Sequence, residues 1–311
     1  MPRWGSTSSS EGPLSVVSPI PPIPAARGYE SSGSAKLMPR YEDITQDGNV
    51  HLSSLMTGLT AVWRTLAHGK QLQAMVRKGI LPILNRIVMH GEDGPFSVHT
   101  PIHVEGTWRL SRERGGERLF LDMWLDAHAP HAQTHAKQPN EHAERVLVGR
   151  IYAEHVVTRP FTKNPAERKV TRFEDLPGVP EIPEDEHAYE DASALVAGHA
   201  LEPMREHVFA MMHTDANQHV NSLAYPRLFE EVAAARAIEQ ALTEKPELLL
   251  ARAIELRYRK PFFAGDRALI TAAMRPTASS LAAVGAFLPA SGDPAKPSAT
   301  VAMELRTSQA C

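Results

Sequence analysis

One repeat constrains this chain more than any other feature. "DGNVHLSSL" at 47–55 and "DANQHVNSL" at 215–223 share Asp, Asn, His, Ser and Leu at the same places, at a constant offset of 168 (47 against 215). Each copy stands at the mouth of a run with helical spacing, and strand-like runs follow it. Matched motifs in a matched order of elements point to duplication, so two similar units in one chain are expected. The length, 311 residues, suits two units of ordinary size.

In the first half Leu55, Leu59, Val62, Trp63 and Leu66 recur as one face of a helix requires. "LPILNRIVMHG", "FSVHTPIHVEGTWRL", "RLFLDMWLDAHA" and "RVLVGRIYAEHVVTR" read as strands, with "SRERGGERL" as a charged Gly-Gly turn. In the second half a short strand, "HVFAMMH", leads into the motif and the helix "SLAYPRLFEEVAAARAIEQAL". Strands are then expected at "LLLARAIELRYRKPFF", "DRALITAAMRP", "SLAAVGAFLP" and "ATVAMELRT". The expected class is α+β, with units at 39–160 and 206–308, each a long helix and an antiparallel sheet. Residues 1–38 are rich in Ser, Pro and Gly and read as a disordered leader; the acid- and Pro-rich 161–205 reads as a linker.

Composition narrows the function. Apolar residues at 42% and charged residues at 22% are ordinary for a soluble globular chain. A net charge of −3 gives no electrostatic reason to expect nucleic acid as partner. No run of 18 apolar residues occurs, so no membrane span is expected. The single cysteine is Cys311, which rules out a disulfide within the chain and leaves a thiol nucleophile only on a fraying terminus. A reducing, cytoplasmic setting is expected, with organelle targeting by the Ser-rich leader as the alternative.

In the second copy Asp215, Asn217 and His219 fall on alternate positions. In extended backbone they would point to one side. Asn221 or Ser222 would cap the helix that follows, whose N-terminus presents amide donors and a positive dipole end. A carboxylate beside such donors suits attack, or activation of water, at a carbonyl whose developing oxyanion the helix stabilises. The plainer reading makes Asp, Asn and Ser turn and capping residues with His on a packed surface.

The longer context favours the first reading. "DANQHVNSLAYPRLFEE" followed by "IELRYRKPFFAGD" resembles the hotdog-fold thioesterases through Asp215, Asn217, His219, Val220, Asn221, Tyr225, Glu230 and Glu231, then Tyr258, Pro261, Gly265 and Asp266. The doubled layout looks most like acyl-ACP thioesterases, over roughly residues 40–308. The resemblance implies a tandem hotdog fold and hydrolysis of an acyl thioester on coenzyme A or acyl carrier protein, without a cofactor. It implies Asp215 as nucleophile or general base, Asn217 and His219 positioning the reactants, and Asn221, Ser222 and Tyr225 at the substrate. The first unit would shape the acyl pocket. Where plant-type enzymes carry a further catalytic Glu and a Cys, this chain places Pro261 and Phe262. Glu255 lies near in sequence, with its facing open.

The first copy, Asp47, Asn49 and His51, is a possible second site, and a non-catalytic relic is the preferred reading. His128, His131, His135 and His142 are spaced so that they could ligate a metal, but solvated loop histidines are the default and no metal is expected. No Gly-x-Ser-x-Gly elbow and no phosphate-binding glycine pattern occur. Two other readings stay open: a hotdog dehydratase, and a non-catalytic protein that binds acyl thioesters. A homodimer is possible.

Overall fold

Period-two patterning builds one large sheet. The computed structural model describes residues 16–25, 30–67, 70–115, 118–137, 139, 143–172, 178–182, 192–291, 293 and 295–307. The first half runs β1 (Glu30–Leu37), α1 (Leu52–Leu55), α2 (Thr57–Ala67), α3 (Lys70–Arg77), β2 (Leu81–Gly91), β3 (Ile102–Arg112), β4 (Leu119–Pro130) and β5 (Arg145–Thr158). A short helix α4 (Pro165–Arg168) lies in the connection. The second half runs β6 (Glu202–Val208), α5 (Ala224–Glu239), β7 (Leu249–Tyr258), β8 (Arg267–Pro276), β9 (Leu281–Pro289) and β10 (Ala299–Thr307).

The ten strands form one antiparallel sheet in the order β1-β3-β4-β5-β2-β7-β10-β9-β8-β6. Reading inward from either edge, each half places its strands first, third, fourth, fifth, second, so the two halves share one topology. They join at β2 and β7, where Arg86 to His90 pair with Arg257 to Ala253. Each of these central strands also carries a bulge, at Asn85 and at Arg252.

Alternation assigns the two faces. Ile87, Met89, Ile254 and Leu256 join the core that holds Leu59 and Val62 of α2 with Phe229 and Val232 of α5. The intervening Val88 and Ala253 belong to a smaller cluster on the opposite face, with Trp124, Tyr152 and Val17. Both helices approach the sheet over a glycine. A methyl on Gly106 would strike Val62, and one on Gly285 would lie 2.1 Å from the Thr271 carbonyl oxygen and 2.4 Å from Phe229.

Four expectations need correction. Residues 30–37 of the supposed leader form β1, which pairs with β3 along its full length. Residues 16–25 cross the face away from the helices: the Ser18 N–H donates to Glu255 at 3.1 Å and Trp124 Nε1 donates to the Pro21 carbonyl at 2.9 Å. Backbone hydrogen bonding, indifferent to Ser and Gly content, holds both segments. The linker yields its last residues to β6, which starts at Glu202 and ends at Val208, short of "AMMH". The long first helix is three pieces, α1, α2 and α3. Among the described residues, no helix is long and apolar enough to cross a membrane.

Candidate active site

Asp215, Asn217 and His219 do not lie on extended backbone. Thr214 and Val220 bridge as the neck of a tight turn, the Gln218 N–H donates to the Asp215 carbonyl at 2.9 Å, and Gln218 adopts φ 67°. The left-handed residue reverses the chain, so the three side chains sit around a loop instead of along a strand. Asp215 Oδ1 accepts the Asn217 N–H at 2.8 Å, the Asx-turn bond that Asp makes readily. His219 Nδ1 lies 3.2 Å from the Val220 carbonyl. A carbonyl only accepts, so Nδ1 carries a proton, which in the neutral ring leaves Nε2 as an acceptor. Asp215 and His219 are half-buried and Asn217 is exposed.

The chain then enters α5. Asn221 Oδ1 accepts the Leu223 N–H at 2.8 Å, and the helix starts at Ala224 with Pro226 at its third position, where a missing N–H breaks no helical bond. Asn221 therefore organises the approach to the helix from two positions before the N-cap, Leu223. Ser222 contributes its carbonyl, which lies 3.4 Å from the Tyr258 hydroxyl. Tyr225 is buried in an aromatic cluster with Phe209, Tyr258, Phe262 and Phe287. Burial pushes its phenol up to about 12, so it supports the turn from behind as a neutral core residue.

The first copy has the same backbone in a different register. Ile44 bridges Val50, the Thr45 N–H donates to the Asn49 carbonyl, the Gly48 N–H donates to the Thr45 carbonyl, and Gly48 has φ 85°. Each contact recurs 170 residues later: Thr214 with Val220, Asp215 with His219, Gln218 with Asp215. The side-chain match at 168 is thus two residues out of step with the fold. Thr45 stands where Asp215 stands, Asp47 where Asn217 stands, Asn49 where His219 stands, and His51 where Asn221 stands.

The side chains of the first turn are also occupied. Asp47 accepts from the Thr45 hydroxyl and from Asn49 Nδ2, and Asn49 Oδ1 accepts the Gly94 N–H at 2.7 Å. Loop residues 94–96 press on the turn so closely that a side chain on Gly48 would strike Pro95. Contacts from the second half close the surroundings, with Arg227 donating to Ser53 and Arg252 paired to Asp93 at 2.9 Å.

Other candidates fall away from the turn. Glu255 is fully buried on the face opposite the helices, bonded by Arg86 at 2.8 Å and Arg257 at 2.9 Å. Burial alone would raise its carboxyl; Arg86, Ser18 and Arg257 outweigh that and leave it below the usual range. Pro261 lies beyond the end of β7, exposed beside the buried Phe262, whose carbonyl accepts the Val220 N–H at 2.7 Å. His131 stacks on Phe96 and the His135 carbonyl receives the Val98 N–H, so both serve loop packing. Among the described residues no group of three His, Cys, Asp or Glu could hold a metal; His142 lies outside them.

No family model and no curated protein matches the sequence. Solved structures do match over nearly the whole chain. An acyl-ACP thioesterase from Bacteroides thetaiotaomicron aligns at a TM-score of 0.56 and 13% identity, covering 88% of this chain and 98% of its own. The 12:0-ACP thioesterase from Umbellularia californica aligns at 0.54 and 13% identity, covering 91% and 100%. This chain shares their fold. At such identity the likeness carries architecture and leaves the chemistry to the residues. Sequence reasoning missed Thr45 and His213, whose places in the turns appear only when backbone hydrogen bonds, not letters, are aligned.

Proposed function

We propose that the two halves are tandem hotdog units and that the chain is an acyl thioester hydrolase acting at the second turn. Asp215 serves as general base or nucleophile, with Asn217 and His219 holding the thioester and the attacking group. The amides at the start of α5 face the developing oxyanion. The observation that carries this reading is the contrast between the turns. The second has a half-buried carboxylate bonded to one backbone amide, beside an exposed amide and an imidazole with an open nitrogen. The first has Thr45 at the same place and side chains already bonded to each other.

The thioesterases that share the fold support acyl-ACP or acyl-CoA as the substrate class. Acyl chains would lie between helix and sheet, in a cytoplasmic setting, and the reaction needs no cofactor. The test is thiol release from acyl-CoAs and acyl-ACPs of graded chain length. Wild type should release thiol and Asp215→Asn should not. Equal rates in both would remove Asp215 from the mechanism, and an enoyl thioester product without free thiol would establish a dehydratase.

A further inference from the structure

The residue two positions before Asp215 differs between the halves in a way that bears on the site. In the first half that place belongs to Asp43, which is buried. Its carboxylate accepts the Arg40 N–H at 2.8 Å, the Arg40 guanidinium at 3.0 and 3.1 Å, and the Ser54 hydroxyl at 2.8 Å. In the second half the same place holds His213, whose Nδ1 accepts the Ala210 N–H at 3.0 Å. The backbone around it is conserved: the His213 N–H donates to the Ala210 carbonyl, and the His213 carbonyl accepts the Asn221 N–H at 2.8 Å, closing the neck of the Asp215 turn. Because an amide N–H can only donate, His213 Nδ1 must be unprotonated to make this bond.

We propose that His213 is a positioning residue whose neutral ring fixes the turn that presents Asp215, and that its protonation releases that turn. The proposal rests on the thioester hydrolase reading of the same site. A proton on Nδ1 would set two donors against each other and turn the ring away from Ala210. Space on that side is restricted, because His207 of β6 stacks edge-on at 4.9 Å and Phe209 at 5.9 Å. The nearby titratable groups are His207, which the Arg205–Glu231 pair, joined at 2.6 Å, influences from its far side, and Asp215 and His219 in the turn itself. Asp266 faces the same region from the loop before β8, its carboxylate accepting the Phe263 N–H at 2.8 Å. Burial, His213 and Arg205 hold His207 below the usual imidazole range against the pull of Glu231, so His207 stays neutral near neutral pH. Imidazoles change charge between about pH 5 and 8, which carboxylates such as Asp43 do not. The second turn is thus held by a titratable latch where the first is held by a fixed one.

The experiment is a pH profile of kcat/KM for wild type, His213→Asn and His213→Ala, with amide NMR of the full chain. Asn offers an oxygen to Ala210 at every pH, so it should keep about half or more of the wild-type rate at pH 8 and lose a smaller fraction of it than wild type as pH falls. Ala should be slower by a constant factor. In wild type the Ala210 and Asp215 amide shifts should follow the His213 ring signals through one titration, and in His213→Asn they should not. Matching pH profiles in wild type and His213→Asn would overturn the positioning role, and so would an Ala210 amide that ignores the ring. The NMR arm stands even if no thioester is cleaved, so failure of the hydrolase reading is distinguishable from failure of the latch.

Discussion

The turns at 44–50 and 214–220 share a backbone hydrogen bond for hydrogen bond, yet one is closed on itself and the other is open. In the first, Asp47 is satisfied by Thr45 and Asn49, and Asn49 by Gly94. In the second, Asp215 has one backbone amide, and Asn217 is exposed to solvent. The fold holds two equal scaffolds, and side-chain satisfaction separates them. A carboxylate bonded by its own turn stabilises that turn; one with open oxygens can meet a substrate.

The largest effect should come from erasing the difference. Asp215→Thr copies Thr45 into the second turn and should lower kcat/KM by about 10²–10⁴, the range for loss of a general base, with thermal stability little changed. Next come the helix contacts. Gly285→Ala should cost about 3 kcal/mol or more in chemical denaturation, since the new methyl meets a fixed carbonyl oxygen. Gly106→Ala should cost less, because its closest clash is with the Val62 side chain while the nearest carbonyl oxygen, of Trp124, lies at 3.2 Å.

A pair of glutamates offers a third comparison. Glu154 lies opposite Arg86 beside the bulge of β2, and Glu304 lies opposite Ala253 at the matching place beside β7. Glu154 is buried, and burial with Asp122 nearby pushes its carboxyl up to about 7. Its folded pKa is raised, so its contribution is full below the unfolded value near 4.3 and is lost as pH rises to about 7. Glu154→Gln should flatten that decline and gain about 1–3 kcal/mol over wild type at pH 8. The same change at half-buried Glu304 should do much less.

The smallest effect contrasts the two latches. Burial alone would raise the Asp43 carboxyl, but bonds from Arg40 and Ser54 outweigh it and hold it below the usual range. Asp43→Ala should cost about 1–2 kcal/mol at pH 7 by thermal melts. That gap should close as pH falls through the lowered pKa, below about pH 4, where wild type loses the same bonds.

Much of this architecture was legible because apolar alternation is a local signal. The runs that became β2, β4, β5, β7, β8, β9 and β10 each stand out in the sequence, as does α5. β1 did not, since "ESSGSAKL" is an edge strand held by its backbone to β3 with its serines exposed. The face of Glu255 depended on knowing the partners Arg86 and Ser18, one 169 residues away and the other 237. The repeat was visible but read two residues out of step. A slip of two keeps polar residues aligned, whereas the turn is fixed by the positive φ at Gly48 and Gln218, which those letters do not encode.

The central claim is that one of two equivalent turns carries the chemistry. The direct measurement is thiol release from one acyl-ACP series by wild type, Asp215→Asn and Asp47→Asn. The account predicts activity in wild type and Asp47→Asn that differs by less than about twofold, and loss of about 10²-fold or more in Asp215→Asn. Activity that survives in Asp215→Asn and disappears in Asp47→Asn would contradict it.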